Sequence, residues 1–402
     1  MALTAMRNPR QYYAWGSPHA LVDLLGIDNS GERPLAEIWM GAHPNGPSEL
    51  LLPEGARRLD ELVNEEPSRW LGTGAQQFGG EFPFLLKLLS AQRALSIQAH
   101  PSRAQAEAGF AAEEAAGVAR DARTRNYRDR NHKPEMMVAL ERFYGLCGFR
   151  EPGEIEANIA GYLQQVGAPA DSIALPGRHG LEGWFREWMG LGEDTKAAIL
   201  ERAVTDCDAA GGGRESPNWW VSQLSRQYPG DFGALAPLYL NLIVLEPGEA
   251  LFLGPGMLHA YLEGSGVEIM ANSDNVLRAG CTEKHVDVEE LIKVLSFEPG
   301  GAEQITPVGI APGVELFRTA APEFELLRVS LAGDPRRIER GSADAPMILL
   351  ALAGRLEVCE EGGAAHPVTP GESLFVTPGG EAVEVRGAGT LCCATVSGGF
   401  AR

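Results

Sequence analysis

The sequence predicts a mostly β protein that is interrupted by an α-helical insert. Short apolar runs bounded by Gly, Pro and Asn fill residues 1–100 and the chain after Leu238, as expected for strands and turns. Between Glu151 and about Pro237 the apolar residues recur instead with helical spacing. A ten-residue segment of the second β-rich part also occurs twice. At 402 residues, the chain is long enough for two to three domains, each with its own core.

Local patterns predict the elements in order. The apolar run of residues 82–100 is typical of a strand, and Pro101 would end it. Residues 104–122 are alanine-rich with apolar spacing near 3.6, which predicts a helix. Residues 151–237 contain several helical segments and form the insert. After Leu238, turn signals every eight to twelve residues indicate a sandwich or a barrel.

The repeat joins residues 247–256 (PGEALFLGPG) to residues 370–379 (PGESLFVTPG). A strand flanked by two Pro-Gly turns explains both copies, so two similar β units are expected. The residues after the two copies differ, because the position that matches His259 in the second copy is Ala382. The strand and its turns are therefore repeated, but the imidazole of His259 is not.

Composition limits the class of partner. The 34 Lys+Arg and 54 Asp+Glu residues give a net charge of -20, which argues against a nucleic-acid or anionic-membrane surface. No apolar run approaches the roughly 18 residues of a bilayer span, and the first residues lack the apolar stretch of a signal peptide. We therefore expect a cytoplasmic protein, a monomer or weak oligomer. The spacing of its six cysteines does not fit a metal site and predicts free thiols.

Three separated segments carry polar side chains that would share a strand face, because residues two apart on a strand point the same way. The spacing groups Ser96 with Gln98 and His100, Lys133 with Glu135, and His259 with Tyr261. Two imidazoles, one carboxylate and one amide oxygen would come from Gln98, His100, Glu135 and His259. Such a mixed set suits Zn²⁺, with Fe²⁺ or Mn²⁺ as alternatives.

The segment 266–284 is dense in charge. It places Glu268, Asp274, Arg278 and Lys284 in a stretch that is otherwise apolar enough to be buried. Buried charges are usually paired or functional. The simpler interpretation is a turn, because Ser-Asp-Asn within this segment is turn chemistry.

Lysine is scarce in this chain. Only five of its 34 basic residues are lysines, and Lys87, Lys133 and Lys284 all lie in these polar segments. A compact ammonium group can act near a phosphate or as a proton donor, where a planar guanidinium would not substitute.

These residues resemble a known family, the type I mannose-6-phosphate isomerases (phosphomannose isomerases). Residues 127–135 are similar to its Y-x-D-x-N-H-K-P-E signature, and residues 259–284 resemble its second signature. The opening residues 13–16 and 36–44 are also similar to the start of the family. One departure is clear, because Glu283 stands where the family usually has proline.

The resemblance implies cupin-type (jelly-roll) β domains. Residues 1–150 with 238–309 would form the catalytic domain, residues 151–237 a helical subdomain, and residues 310–402 a C-terminal β domain without a metal site. It also implies one Zn²⁺ per chain, held by Gln98, His100, Glu135 and His259.

The reaction implied is the reversible interconversion of mannose 6-phosphate and fructose 6-phosphate by proton transfer through a cis-enediol. The partner would be a small sugar phosphate, and Arg278 corresponds to the residue usually assigned to the active site. The candidates for proton transfer or substrate contact are His132, Lys133, Glu268, Asp274, Lys284, Tyr261, Ser96 and Lys87. Sequence leaves His132, Glu268, Asp274 and Lys284 as alternatives for the base.

Three other functions share some of these features. A non-catalytic sugar-binding cupin would have lost an arginine or lysine of segment 266–284, and none is missing. An iron-dependent oxygenase would share two histidines and a carboxylate, but it leaves Gln98 and the charged segment unexplained. A type II isomerase fused to a nucleotidyltransferase would need a Gly-rich nucleotide loop near the start, which the sequence lacks.

Overall fold

The computed structural model describes residues 3–165, 176–341, 344–360 and 363–401. The strands are β1 (Leu3–Arg7), β2 (Arg10–Gln11), β3 (Glu37–Gly41), β4 (Glu49–Leu52), β5 (Gly55–Arg58), β6 (Phe84–Ala91), β7 (Ile97–Ala99), β8 (Glu135–Ala139), β9 (Phe143–Phe149), β10 (Leu240–Leu245), β11 (Ala250–Leu253), β12 (His259–Ala271), β13 (Leu277–Gly280), β14 (Glu303–Ile305), β15 (Val308–Ala311), β16 (Val314–Phe317), β17 (Glu325–Glu339), β18 (Met347–Glu360), β19 (Ala365–Val368), β20 (Ser373–Val376) and β21 (Ala382–Thr395). The helices are α1 (Ala20–Leu25), α2 (Leu59–Glu65), α3 (Pro67–Leu71), α4 (Gly74–Gln77), α5 (Arg103–Ala115), α6 (Pro152–Gln165), α7 (Pro176–Met189), α8 (Glu193–Ala210), α9 (Pro217–Gln227) and α10 (Val288–Val294), with a 3₁₀ helix at Phe232–Leu238.

Strand pairing builds two large sheets from the described residues. One runs in the order β15-β16-β17-β21-β18-β20-β1-β4-β5, and the other in the order β14-β11-β8-β12-β6-β3-β2. In the second sheet β7 and β9 also pair with β12. The predicted mostly β architecture with a helical insert is confirmed.

The long strand β12 organises the second sheet. Its first part, from His259 to Glu263, pairs with β9, and His259 lies opposite Gln98 of β7. Its second part, from Gly264 to Ala271, pairs with β6 and β8. One strand thus brings segments from four regions of the chain into register.

The helical insert begins and ends at neighbouring positions. It leaves the sheet after β9 and returns at β10, and these strands pair with Phe149 opposite Leu240. Helices α6 to α9 and the 3₁₀ helix bury their apolar faces in one core, whose largest buried side chains include Trp184, Trp188 and Tyr239. The helical interpretation of residues 151–237 therefore holds for the described part of that segment.

Some predicted details are wrong. The helix predicted over residues 104–122 ends at Ala115, shortly before Gly117, whose φ of +71° does not continue a helix. The strand predicted through residues 82–100 is two strands, β6 and β7, separated by a loop. Residues 1–100 also contain α1 to α4, which the strand pattern does not reveal because each has only four to seven residues.

Strand pairing at the N-terminus also departs from the predicted division of the chain. Strand β1 pairs with β20 and with β4, so the strands within residues 3–7 and 49–58 extend the sheet of the C-terminal part. Sequence alone could not show this, because the pairing of β1 with β20 joins segments that are far apart in the chain. The division into domains stays a prediction.

The sequence repeat corresponds to a structural repeat. Its copies form β11 and β20, each preceded by a turn in which Gly248 or Gly371 has a φ near +90° (+92° and +85°). Both glycine N–H groups donate to a neighbouring strand, the first to the carbonyl of Ala139 and the second to that of Ala351. The two β units are therefore built on the same turn, as predicted.

Two further predictions concern cysteines and membranes. All six cysteines are free and buried, which confirms the prediction of free thiols. None of the described helices combines the length and the apolar composition needed to cross a lipid bilayer.

Gly148 gives a test of this packing. Its φ is +67°, and a Cβ atom there would collide with the carbonyl oxygen of Gly300. Gly148→Ala should lower the free energy of unfolding by about 2 kcal/mol or more, because the left-handed backbone and the collision both oppose a side chain. Gly161→Ala, at an open position within α6, should instead stabilise by about 0.5–1 kcal/mol. Denaturation curves of both variants check this, and equal effects would contradict it.

Candidate active site

Three buried side chains from three segments converge in the second sheet. His100 directly succeeds β7, Glu135 opens β8 and His259 opens β12. The Nε2 atoms of both histidines lie 3.5 Å from Oε2 of Glu135, and all three side chains are at most 2% exposed. Within the described residues, this is the cluster of His, Cys, Asp or Glu side chains that could hold a metal ion.

Backbone carbonyls hold both imidazole rings. Nδ1 of His100 donates to the carbonyl of Asn275 at 2.7 Å, and Nδ1 of His259 donates to that of Met257 at 2.8 Å. With Nδ1 protonated, each Nε2 presents its lone pair to the centre of the cluster. These Nε2 atoms and Oε2 of Glu135 are buried without a hydrogen-bond partner among the described residues. A cation would satisfy all three atoms, so the cluster fits a metal such as zinc.

The segment 273–275, in the connection between β12 and β13, supports this cluster. The buried side chain of Asn275 donates to the carbonyl groups of Asp129 and Asn131 and accepts from the N–H of Arg128. The same residue supplies the carbonyl that holds His100. The segment 266–284 thus includes the end of β12 and all of β13 rather than a simple turn, and the short connection between these strands orients a candidate metal ligand.

Gln98 lies in register with two other candidates. It is opposite His259 of β12 on one side and opposite Arg278 of β13 on the other. Its side chain is half-buried and lines a pocket of about 270 Å³ together with Glu135. The register thus places Gln98 next to His259, and the pocket that Gln98 and Glu135 line is the open side of the cluster.

This pocket brings together many of the predicted residues. It is lined by Lys87, Gln98, Lys133, Glu135, Tyr261, Glu268, Asp274 and Lys284, and also by Tyr13, Trp15, Glu37 and Trp39. The ammonium of Lys133 lies 2.7 Å from Oε1 of Glu135. Burial acts to raise the pKa of Glu135, but Lys133 and His100 lower this pKa well below its ordinary value. Glu135 is therefore a carboxylate.

A second buried charge network forms the wall of the pocket. Nζ of Lys87 lies 2.7 Å from Glu268 and 3.4 Å from Glu37. Burial alone would lower the pKa of Lys87, but the two carboxylates raise it above its ordinary value. Glu37 is absent from the residues predicted for the site, although a lone carboxylate within the apolar run AEIWM was a usable signal.

Asp274 is held by two residues that were also not among the predicted functional candidates. Nε2 of His43 lies 3.4 Å from one carboxylate oxygen, and Asn45 donates to the other at 2.7 Å. Burial acts to raise the pKa of Asp274, but the bond to His43 brings it below its ordinary value. An ionised Asp274 therefore faces the pocket.

Cations dominate the adjoining cavity of about 400 Å³, which shares Asp274 and Lys284 with the pocket. Arg128, Arg278 and Lys284 line it, and none of them forms an ion pair with a described carboxylate. Burial and the charges of Arg278 and Arg128 lower the pKa of Lys284. Unpaired cations in a chain of net charge -20 indicate a site for an anion.

Comparison with known proteins decides the family. Residues 3–152 match the model of the phosphomannose isomerase type I catalytic domain. The mannose-6-phosphate isomerase of Salmonella typhimurium is 37% identical over 387 residues, which cover 96% of this chain and 97% of that protein. The human mannose-6-phosphate isomerase is 32% identical over 378 residues, or 86% of each chain. The chain belongs to the mannose-6-phosphate isomerase family.

Solved structures agree with this membership. A crystal structure of zinc-bound mannose 6-phosphate isomerase matches with a TM-score of 0.89 and 34% identity, covering 98% of this chain and 100% of the other. A crystal structure of a mutant phosphomannose isomerase from Salmonella typhimurium matches with a TM-score of 0.90, the same identity and the same coverage. The predicted resemblance to the mannose-6-phosphate isomerase family is confirmed.

Apart from the buried ligand candidates His100 and His259, three of the predicted site residues are not among those that line the pocket. Arg278 lines the adjoining cavity. His132 lies in a third cavity, where its Nε2 is 2.7 Å from Glu323, so this ring is engaged away from the pocket. Ser96 lies in the loop that precedes β7 and is not among the residues that line the pocket.

The buried imidazole of His100 predicts a pH dependence of stability in the metal-free protein. Burial, and to a lesser extent the charge of Lys133, lowers the pKa of His100 to about 4, whereas an unfolded histidine titrates near 6.5. Between these values the unfolded chain binds more protons, so the free energy of unfolding should fall as the pH drops from about 6.5 to about 4.

The matched variant is His100→Gln, which has no titrating ring at this position. Urea unfolding at pH 7 and pH 5, with metal removed by chelation, should show a smaller loss in the variant than in the parent chain. Raised pKa values elsewhere, such as that of Glu268, act in both proteins and cancel in the difference. An equal loss in both proteins would contradict the assignment.

Proposed function

We propose that this chain interconverts D-mannose 6-phosphate and D-fructose 6-phosphate and uses one zinc ion. The observation that carries the proposal is the adjacency of two features: the His100–Glu135–His259 cluster, and a cavity with unpaired cations. Together they fit a sugar phosphate, with its reacting carbons near the cluster and its phosphate among the cations. Membership of the family and a zinc-bound relative support the same reaction.

The metal would be held by His100, Glu135 and His259, with Gln98 as a fourth ligand from the open side. Two imidazoles, a carboxylate and an amide oxygen suit zinc and leave room for a further oxygen ligand. When bound, the ion supplies a Lewis acid for an oxygen of the open-chain sugar.

The phosphate group is placed in the cationic cavity. Arg278 is the central candidate because β13 sets it opposite Gln98, which lines the neighbouring pocket together with Glu135. A guanidinium can donate two parallel hydrogen bonds to phosphate, while the ammonium of Lys284 acts as a flexible point charge. Neither group must first break an ion pair to bind the anion.

Proton transfer between C2 and C1 through a cis-enediol needs a base beside the sugar. Glu268 is the weaker candidate because Lys87 already binds its carboxylate. Asp274 is ionised and faces the pocket, and Lys284 has a lowered pKa. We assign the proton transfer to these two groups, with Lys133 held beside the enediol oxygens by its bond to Glu135.

The two β units are proposed to be cupin-type, with chemistry in one of them. By register, Leu253 of β11 lies opposite Glu135, whereas the matching Val376 of β20 lies opposite Met347. His259 opens β12, and the matching Ala382 opens β21. The C-terminal unit thus has apolar side chains at both matching positions, which supports the predicted absence of a metal site there.

The decisive experiment is to incubate the zinc-loaded protein with mannose 6-phosphate in D₂O. Formation of fructose 6-phosphate that carries solvent deuterium at C1 would support both the reaction and the proton-transfer route. Activity should disappear on chelation and return with Zn²⁺. Full activity in a verified metal-free preparation, or the absence of fructose 6-phosphate, would refute the proposal.

Arg278→Ala should lower kcat/KM for mannose 6-phosphate by about 10²-fold, because one preorganised charge stabiliser is removed. Zinc affinity should be unchanged, since Arg278 is not a metal ligand. Arg226→Ala is the matched control, because Arg226 pairs with Asp208 on the surface of the insert. Steady-state kinetics of both variants, with zinc titration, test this; normal kinetics in Arg278→Ala would remove it from the site.

Lys133→Arg and Lys284→Arg should each lower kcat/KM at least tenfold, or about 1.4 kcal/mol. The guanidinium is bulkier, keeps its proton, and does not fit the buried position of Lys133. Lys196→Arg, in α8 of the helical insert beside Glu193, is the control and should behave as the parent chain. The measurement is steady-state kinetics of the three variants side by side. If all three match the parent chain, the proposed roles of Lys133 and Lys284 are wrong.

A further inference from the structure

Glu323 is a buried carboxylate that the proposed reaction does not use. It lies between β16 and β17, in the part of the chain beyond residue 310, and only 3% of it is exposed. Its Oε1 accepts from Nη2 of Arg103 at 3.0 Å and from Nε2 of His132 at 2.7 Å. Both partners belong to the other half of the molecule, so Glu323 links the C-terminal unit to the second sheet.

The two partners lie beside the candidate metal ligands along the chain. Arg103 opens α5, three residues after His100. His132 directly precedes Lys133, whose ammonium binds Glu135. The carboxylate of Glu323 therefore connects two segments of the chain. One follows the candidate ligand His100, and the other precedes the candidate ligand Glu135.

A further contact closes this arrangement. Nη1 of Arg103 donates to Oδ1 of Asn131 at 3.0 Å, while its Nη2 binds Glu323. The guanidinium thus contacts the 131–135 segment both directly and through Glu323. Burial acts to raise the pKa of Glu323, but the bond to His132 lowers it below its ordinary value. Both hydrogen bonds are therefore charge-assisted, the stronger class.

We propose that Glu323 is a positioning residue for the metal centre: from the C-terminal unit it holds the segments of His100 and Glu135 at the separation that a metal requires. The C-terminal unit then contributes to metal affinity although it holds no ligand. This proposal rests on the proposed function only in taking the cluster as a metal site.

The test compares Glu323→Ala with Glu325→Ala in the full chain. Glu325 is also buried, but it accepts from Arg318 and from the N–H of Phe400, both within the C-terminal part. Zinc affinity is measured by competition with a chromophoric chelator, without substrate. Glu323→Ala should weaken zinc binding about tenfold, the lower end of the range for groups that support metal ligands. Glu325→Ala should keep the affinity of the parent chain.

Glu323→Gln provides the rescue, because its amide oxygen can accept from both donors without the charge. It should recover part of the affinity that Glu323→Ala loses. If an alanine variant does not fold, Glu323→Gln against Glu325→Gln gives the same comparison. Parent-like zinc affinity in Glu323→Ala, or in Glu323→Gln where the alanine variant does not fold, would overturn the proposal. An equal loss of zinc affinity in the matching Glu325 variant would also overturn the proposal.

The failure of the two proposals can be told apart. If the zinc affinities keep the expected order but mannose 6-phosphate is not isomerised, only the proposed reaction fails. If isomerisation is observed and Glu323→Ala binds zinc normally, only the positioning role fails. In an active enzyme, excess zinc should restore kcat of Glu323→Ala.

Discussion

The carboxylate of Glu135 places a full negative charge in the interior of the sheet, and this constraint organises the surrounding structure. Burying an ion costs several kcal/mol unless other charges and hydrogen bonds compensate it. Lys133 compensates one oxygen, and the other faces His100 and His259. A cation among these three groups would compensate the second oxygen, and because His100, Glu135 and His259 come from distant segments, the sheet must bring these segments together in one register. A slip of β12 by one residue would turn His259 away from the cluster.

Charge is distributed unevenly between the surface and the pocket. The chain carries a net charge of -20, but Arg128, Arg278 and Lys284 line the cavity beside the candidate metal cluster without forming an ion pair with a described carboxylate. An acidic exterior repels anions in general, whereas low-dielectric walls concentrate the local positive potential. The cavity can therefore select an anion that also fits its shape. The buried pair of Lys87 and Glu268 has another role, because its charges balance within the wall.

Much of the site could be predicted from sequence where the signal was local. Alternation along a strand placed His259 beside Tyr261, and their rings lie 6.2 Å apart. The same rule did not place Ser96 in the pocket, because Ser96 lies in the loop before β7 and is absent from the pocket lining. The sequence pattern also could not predict contacts between residues that are far apart in the chain. Nothing near His132 in the sequence indicates that Glu323, 191 residues away, would bind its ring.

The helical insert shows why such a fold can change in size without losing its site. Phe149 and Leu240 are cross-strand partners, so the insert leaves and rejoins the sheet across one ladder position. For a loop tied at such a point, the entropy of closure grows only with the logarithm of its length. The strands that carry the candidate metal ligands therefore keep the same neighbours, whatever the length of the insert on the other side of this strand pair. Evolution can therefore lengthen, shorten or redecorate the helices as a separable module while the chemistry stays in place.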